Sequence, residues 1–193
     1  MAIGDLLLAV PGSHNVLNAS GALATGLALG LPPADLLEGL STFRGTGRRF
    51  EFKGQIHGIR IIDDYGHHPT EINVTLDAAR RYATDGRVLV IFQPHRYSRT
   101  KAFAKDFARA LDSADAAWIL EVYGAGEKAI PGVSGSSISA LMSSGKFEPN
   151  FLTVVFDVVE SARPGDVIVT LGAGDVSSLA PLILEALTKK YSE

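Results

Sequence analysis

The sequence predicts an α/β fold: a mainly parallel sheet with flanking helices and an N-terminal hairpin strand, preceded by a short helical segment. Three observations carry this. From residue 59 onward, apolar strand-like runs alternate with stretches of helical period, the order that βαβ crossovers require. The run Arg87–Gln93 is apolar without alternation, as in a strand covered on both faces. The polar residues with chemistry to offer follow directly after the strand-like runs, where parallel strands would gather them at one edge.

Each element has its local reason. Leu6–Val10 reads as a lone strand ended by Pro11-Gly12, and Ser13 or His14 opens a helix from Asn15 to about Leu29. Val16, Leu17, Leu23, Leu27 and Leu29 are scattered around that helix, so burial on several sides is expected. Gly30-Leu31-Pro32-Pro33 stops it, a second helix runs Ala34–Leu40, and Ser41–Arg48 reads as a linker. Residues 1–47 have no sheet of their own and are too few for an independent core. We expect them to be the tail of a larger domain rather than a cap on the main one.

Arg49–Ile56 and Ile59–Asp63 read as strands joined by a His57-Gly58 turn. Ile72, Leu76, Ala79 and Ala83 place a helix over Thr70–Ala83. Pro69 suits its first turn, and Glu71 is favourable against its dipole. After the strand Arg87–Gln93 comes a helix, Ser98–Leu111, with Phe103, Phe107, Ala110 and Leu111 on one stripe. The remaining reading is strand Ala116–Val122, helix Ser136–Ser143, short strand Leu152–Phe156, one helical turn Val158–Ala162, strand Val167–Leu171 and closing helix Val176–Lys189.

Composition narrows the function. With 193 residues, 46% hydrophobic and 20% charged, the chain can bury a core and is not a disordered segment. A net charge of -3 argues against a general nucleic-acid binder, and the absence of cysteine excludes disulfides and thiolate metal sites. The start lacks a basic n-region, and Val16–Leu31 is broken by Asn18, Ser20 and glycines and is short for a membrane span. A soluble, cytoplasmic protein is expected.

Two stretches concentrate chemistry. Asp63-Asp64-Tyr65-Gly66-His67-His68-Pro69-Thr70-Glu71 places carboxylates, a phenol and two imidazoles in one strand-to-helix turn. A dedicated metal site is disfavoured, because adjacent histidines in a loop rarely point the same way and no third one stands at helical spacing. Carboxylates holding ribose hydroxyls or hydrated magnesium, with a histidine meeting substrate, fit better. The plain alternative has Asp64 capping the turn and His68 buried. His95-Arg96-Tyr97-Ser98-Arg99-Thr100 puts two guanidiniums and an imidazole at a strand end. Arg96 and Arg99 can converge on one anion, with the helix N-terminal amides adding to the field. Cations oppose the dipole there, so stability alone does not favour them; a solvated charge cluster is the competing reading. Gly172-Ala173-Gly174 supplies only two glycines of a dinucleotide fingerprint, and a tight turn beside Asp175 explains it as well. No Gly-x4-Gly-Lys-Ser/Thr occurs, so ATP is not expected to bind in the P-loop manner.

Taken together, Pro11 to Ala19, Gly47-Arg48-Arg49-Phe50, Asp63 to Glu71, Phe92 to Thr100 and Gly124-Ala125-Gly126-Glu127 resemble the Mur ligases, the ATP-dependent amino-acid ligases of bacterial peptidoglycan synthesis. The likeness spans nearly the whole chain but only the last part of such an enzyme. It implies that residues 1–47 are the C-terminal remnant of a central ATP-binding domain and residues 48–193 a Rossmann-like C-terminal domain. By motif it implies that His14, Asn15 and Asn18 surround adenine, while Arg49 (or Arg48) and Asp64 reach the nucleotide's phosphates and ribose on closure. Tyr65, His67, His95, Arg96 and Arg99 would surround the incoming amino acid and the new amide, the two arginines holding carboxylate. The implied cofactor is ATP with magnesium, bound mainly by a domain this chain lacks. The implied partners are UDP-N-acetylmuramate and L-alanine, because His95–Thr100 argues against the sibling that recycles murein tripeptide. The implied chemistry is phosphorylation of the muramoyl carboxylate followed by attack of the alanine amine; no activity is expected of this chain alone. A Rossmann-type oxidoreductase or nucleotide-binding module using Gly172–Gly174, and a non-catalytic interaction module, remain as other classes. The apolar helix around Val16–Leu29 is expected to meet a second copy in a dimer, or to be disordered.

Overall fold

The computed structural model of the chain describes residues 3–10 and 12–192, without the side chains of Ser13 and His14. It divides into two compact units, Met1–Gly47 and Arg48–Glu193. The first holds two helices, α1 (Ser13–Ala28) and α2 (Pro33–Thr42). A Cβ on Gly26 would lie 2.4 Å from Leu36 Cδ2, so the glycine is what lets α2 close onto α1. The expected strand at Leu6–Val10 does not form: among the described residues this unit has no strand to pair with, and lone extended backbone gains no ladder. Pro11, its expected end, lies outside the described residues. Nor is α1 buried on several sides. Val16, Leu17 and Leu29 are exposed, because two helices alone can cover only one stripe of each other.

The second unit is a six-stranded sheet: β1 (Glu51–Ile56), β2 (Ile59–Asp64), β3 (Val88–Phe92), β4 (Ala116–Ile119), β5 (Gly145–Phe147) and β6 (Val167–Leu171), in the order β1-β2-β6-β3-β4-β5. The β1–β2 hairpin is antiparallel and the other pairings are parallel. His57 at φ 47° and Gly58 at φ 80° make the two-residue turn whose twist matches flanking strands. Helices α3 (Pro69–Ala83) and α4 (Tyr97–Leu111) cover one face, where Val88, Val90 and Phe92 point. Helices α6 (Phe151–Ser161) and α7 (Leu179–Ser192) cover the other, receiving Leu89 and Ile91. Both sets are buried, which is why β3 carries no polar alternation.

Some elements differ from expectation. Leu152–Phe156 is not a strand but part of α6: Val154, Val155, Val158 and Val159 recur at helical spacing and face the core, and the Asn150 side chain accepts from the amides of Leu152 and Thr153. The edge position belongs instead to β5, three residues with little apolar signal. Ser136–Ser143 shrinks to one turn, α5 (Ser136–Ser139), and β4 ends at Ile119. The closing helix begins late, after a 3-10 turn at Asp175–Ser178, since Pro181 has no amide for a longer α-helix. Among the described residues no helix is long and apolar enough to cross a membrane.

Candidate functional site

The loop after β2 is organised by its acids. Asp63, 1% exposed, accepts from Arg48 Nε at 2.9 Å and from Thr170 Oγ1 at 2.7 Å. The same guanidinium donates to the carbonyls of Gly172 at 2.5 Å and Gly174 at 3.2 Å, so Arg48 is committed to holding β2 against the turn after β6. Arg49 keeps a half-exposed guanidinium, 5.7 Å from the Tyr65 ring centre and 4.0 Å from Glu71. Asp64 turns inward and accepts from the amides of Phe50 and Gly66, both at 2.7 Å. Burial pushes its carboxyl up, against the pull of those amides. The plain reading of Asp64 as the residue that shapes the turn thus describes its placement.

Glu71 accepts from the amides of His67 at 2.9 Å and His68 at 3.1 Å. Burial opposes ionisation of Glu71, but those amides and the nearby His67 and Arg49 outweigh it and hold the carboxyl below its usual range. The two histidines part company. His68 heads α3, its Nδ1 accepting from Thr70 N at 3.3 Å and its ring edge-on to Phe103. His67 turns the other way, beside Tyr65, with Nδ1 3.1 Å from Tyr65 O; a carbonyl can only accept, so the proton sits on Nδ1.

The loop after β3 meets His67 from the other side. The His95 ring lies 5.9 Å from the His67 ring and stacks on Tyr123 at 5.6 Å. Backbone bonds from Tyr123 N to Pro94 O and from Arg96 N to Tyr123 O, each 2.8 Å, pin this segment to the one after β4. Arg96 stands at φ 72°, a conformation L side chains rarely adopt, at the start of α4. His95 Nδ1 and Arg99 Nη1 are buried with no hydrogen-bond partner among the described residues. Burial depresses the His95 pKa, and its neighbours His67, Arg99 and Arg96 push it further down. The ring is therefore biased toward its neutral form beside two guanidiniums.

The helix N-terminus contributes less than expected. The Ser98 amide is taken by the Glu127 carboxylate at 2.9 Å, so an anion at this site must be held mainly by side chains. The glycine pair after β6 likewise does not form a phosphate cradle. A Cβ on Gly172 would lie 2.5 Å from Gln93 O, and one on Gly174 2.2 Å from Gln93 Oε1. These glycines admit Gln93, which donates to Asp175 at 2.6 Å and accepts from Val176 N at 3.1 Å. A 3-10 turn, not an α-helix start, follows.

One rim thus brings together Tyr65, His67, His95, Arg96 and Arg99. Gln93 and the roles of Arg48, Tyr123 and Glu127 emerge only from contacts distant in sequence. Asn15 and Asn18 lie one turn apart on α1 of the first unit, and the side chain of His14 lies outside the described residues. The rim can grip a small carboxylate with charge-assisted donors and present a neutral imidazole to the group attached to it.

Residues 48–174 match the family described as Mur ligase, glutamate ligase domain. The chain is 47% identical to the UDP-N-acetylmuramate–L-alanine ligase of Acidothermus cellulolyticus over 98% of this chain and 41% of that protein. It is 50% identical to the ligase of the same name from Mycobacterium tuberculosis over 93% of this chain and 38% of that one. Among solved structures, UDP-N-acetylmuramate-alanine ligase from Thermotoga maritima superposes with a TM-score of 0.76 at 32% identity, covering 97% of this chain and 40% of that one. A murein peptide ligase from Psychrobacter arcticus does so at 0.71 and 25%, covering 94% and 38%. The chain spans about two fifths of the length of the curated relatives it matches.

Proposed function

The chain belongs to the Mur ligase family, and on that premise we propose that it is the C-terminal part of an ATP-dependent ligase joining L-alanine to UDP-N-acetylmuramate in the bacterial cytoplasm. The observation that carries this reading is the pair of buried, unpartnered polar atoms, His95 Nδ1 and Arg99 Nη1, on a rim shared with Arg96 and His67. Burial without a partner is costly unless a ligand supplies one.

Alanine reaches such a site as a zwitterion. Its carboxylate goes to Arg99 and Arg96, whose planar donors match it. Its ammonium must lose a proton before it can attack, and a neutral His95, with His67 beside it, can accept that proton. Tyr65 borders the same space. Held this way, the amine is a positioned nucleophile rather than a free solute, which is where most of this part's contribution lies.

ATP, when bound, supplies the phosphorylation of the muramoyl carboxylate. Arg49, with an exposed guanidinium, fits a role at its phosphates; Arg48 and Asp64 are occupied inside the fold. Asn15 and Asn18 are assigned to adenine in the first unit, residues 1–47, read as part of an ATP-binding domain. Magnesium is assigned, with ATP, mainly to the central ATP-binding domain. The chain by itself is proposed to be inactive, and its exposed Val16, Leu17 and Leu29 to associate two copies, which light scattering reads directly.

The test is a chimera in which this chain replaces the matching part of the Acidothermus cellulolyticus relative. It should ligate L-alanine in preference to murein tripeptide. Arg99→Ala should raise KM for alanine about tenfold to a hundredfold, the range for a lost charge-assisted hydrogen bond. A chimera that prefers the tripeptide, or an Arg99→Ala variant with unchanged kinetics, would overturn the assignment; the second result would favour a non-catalytic module.

A further inference from the structure

Helix α4 starts against its own electrostatics. Arg96 is its N-cap and Arg99 lies in its first turn, no acid stands in that turn, and no side chain of the N-cap residue bonds to it. The missing cap comes from another loop. Glu127 Oε2 accepts from Ser98 N at 2.9 Å, and its Oε1 accepts from Ser98 Oγ at 2.6 Å.

The loop that delivers this carboxylate is built for it. Glu127 N donates to Gly124 O at 2.9 Å, closing a turn in which Ala125 and Gly126 have φ of 50° and 86°. Gly124 is pressed between the two partners: a Cβ there would lie 3.2 Å from Glu127 O and 3.2 Å from the Tyr97 ring. The bonds from Ser98 hold the Glu127 carboxyl below the usual carboxylate range, so it stays ionised at neutral pH.

We infer that Glu127 is a positioning residue of the amino-acid site: it fixes the first turn of α4 and so keeps Arg96 and Arg99 beside His95. By filling the helix's own anion position with a protein carboxylate, it also directs the substrate's carboxylate to the guanidinium groups. The inference rests on the reading of this rim as the alanine site.

The charged and titratable groups facing His95 are His67 from the loop after β2, Arg96 and Arg99 from α4, Glu127 from the turn, and the stacked Tyr123. Of these groups, Glu127 alone raises the His95 pKa, where His67, Arg99 and Arg96 lower it. That gives a readout of the Glu127 charge at the ring, separate from the exchange protection that reports its capping of α4.

The experiment is NMR on the isotope-labelled chain as wild type, Glu127→Gln and Glu127→Ala, following the His95 ring titration, exchange of the α4 first-turn amides, and binding of L-alanine. Glu127→Gln keeps an acceptor for the Ser98 amide but not the charge, so α4 should remain protected while the His95 midpoint falls. Glu127→Ala loses both; the first-turn amides should exchange faster and L-alanine should bind roughly threefold to tenfold more weakly, in line with a lost N-cap. An unmoved His95 midpoint in Glu127→Gln, or first-turn protection unchanged in Glu127→Ala, overturns the inference. If Glu127→Ala does not fold, the Glu127→Gln titration decides. A wild-type chain that ignores L-alanine refutes the amino-acid reading instead, with titration and exchange still judging Glu127.

Discussion

Replacing Arg48 by Ala should cost the second unit about 3 kcal/mol. Its guanidinium pairs with Asp63, whose side chain is 1% exposed, and bonds two carbonyls of the turn after β6. Removing one partner of a buried ion pair typically costs about 3–5 kcal/mol, because a charge is left in low dielectric without compensation. Two features place this case at the lower end. Thr170 continues to donate to Asp63, and the Arg48 side chain is itself 24% exposed, so water can reach part of the vacated space. Arg48→Lys keeps a charge but cannot span three acceptors, and about 1–2 kcal/mol is expected for the lost hydrogen bonds. Urea unfolding followed by Trp118, the single tryptophan and a buried residue of β4, reports on this unit. The midpoint should fall with an unchanged slope. Pairing Arg48→Ala with Asp63→Asn should recover part of the loss, since the uncompensated charge is gone. A loss under about 1 kcal/mol for Arg48→Ala at constant slope would refute the reasoning.

Other outcomes follow from the same contacts. Gly174→Ala would drive a Cβ to 2.2 Å from Gln93 Oε1 and 2.8 Å from the Tyr123 ring. It should cost about 1–3 kcal/mol by overpacking and disturb the His95–Tyr123 ring shifts; native shifts and stability would count against the close-contact role. His95 is depressed below its ordinary value of 6.5, so between that value and the folded one the unfolded chain binds more protons. Its contribution to stability is therefore present above the ordinary range and is lost as pH falls through it. The urea midpoint of the wild type should drop more steeply than that of His95→Gln from about pH 7 to 5, and parallel curves would deny the depression. Arg99→Lys should weaken L-alanine binding although charge is kept, because an ammonium lacks the planar fork; calorimetry showing equal affinity would argue for simple charge attraction.

What could be read from sequence was what periodicity and topology decide. β3 announced itself because both of its faces are buried, and the hairpin because His57-Gly58 can take the required turn. The rim was legible without any side-chain detail, since parallel strands end at one edge and the polar runs follow them. The α6 helix was hidden because valines suit strands, and its helical period shows only when Val154–Val155 and Val158–Val159 are counted together. Arg48 and Arg49 could not be told apart from sequence: their directions are set by the carbonyls of Gly172 and Gly174, more than a hundred positions away. Asp64 was drawn inward by the Phe50 amide for the same kind of reason. The Glu127 cap spans 29 positions between loops and has no local signature.

The most direct test of the proposed amino-acid site is a titration of the labelled chain with L-alanine and, separately, with L-alaninamide, which has the amine but no carboxylate. L-Alanine should shift His67, His95, Arg96 and Arg99 together, and both L-alaninamide and the Arg99→Ala variant should abolish the effect. Equal shifts from the two ligands, or shifts centred away from these four residues, would contradict the proposal that this rim grips the amino acid by its carboxylate.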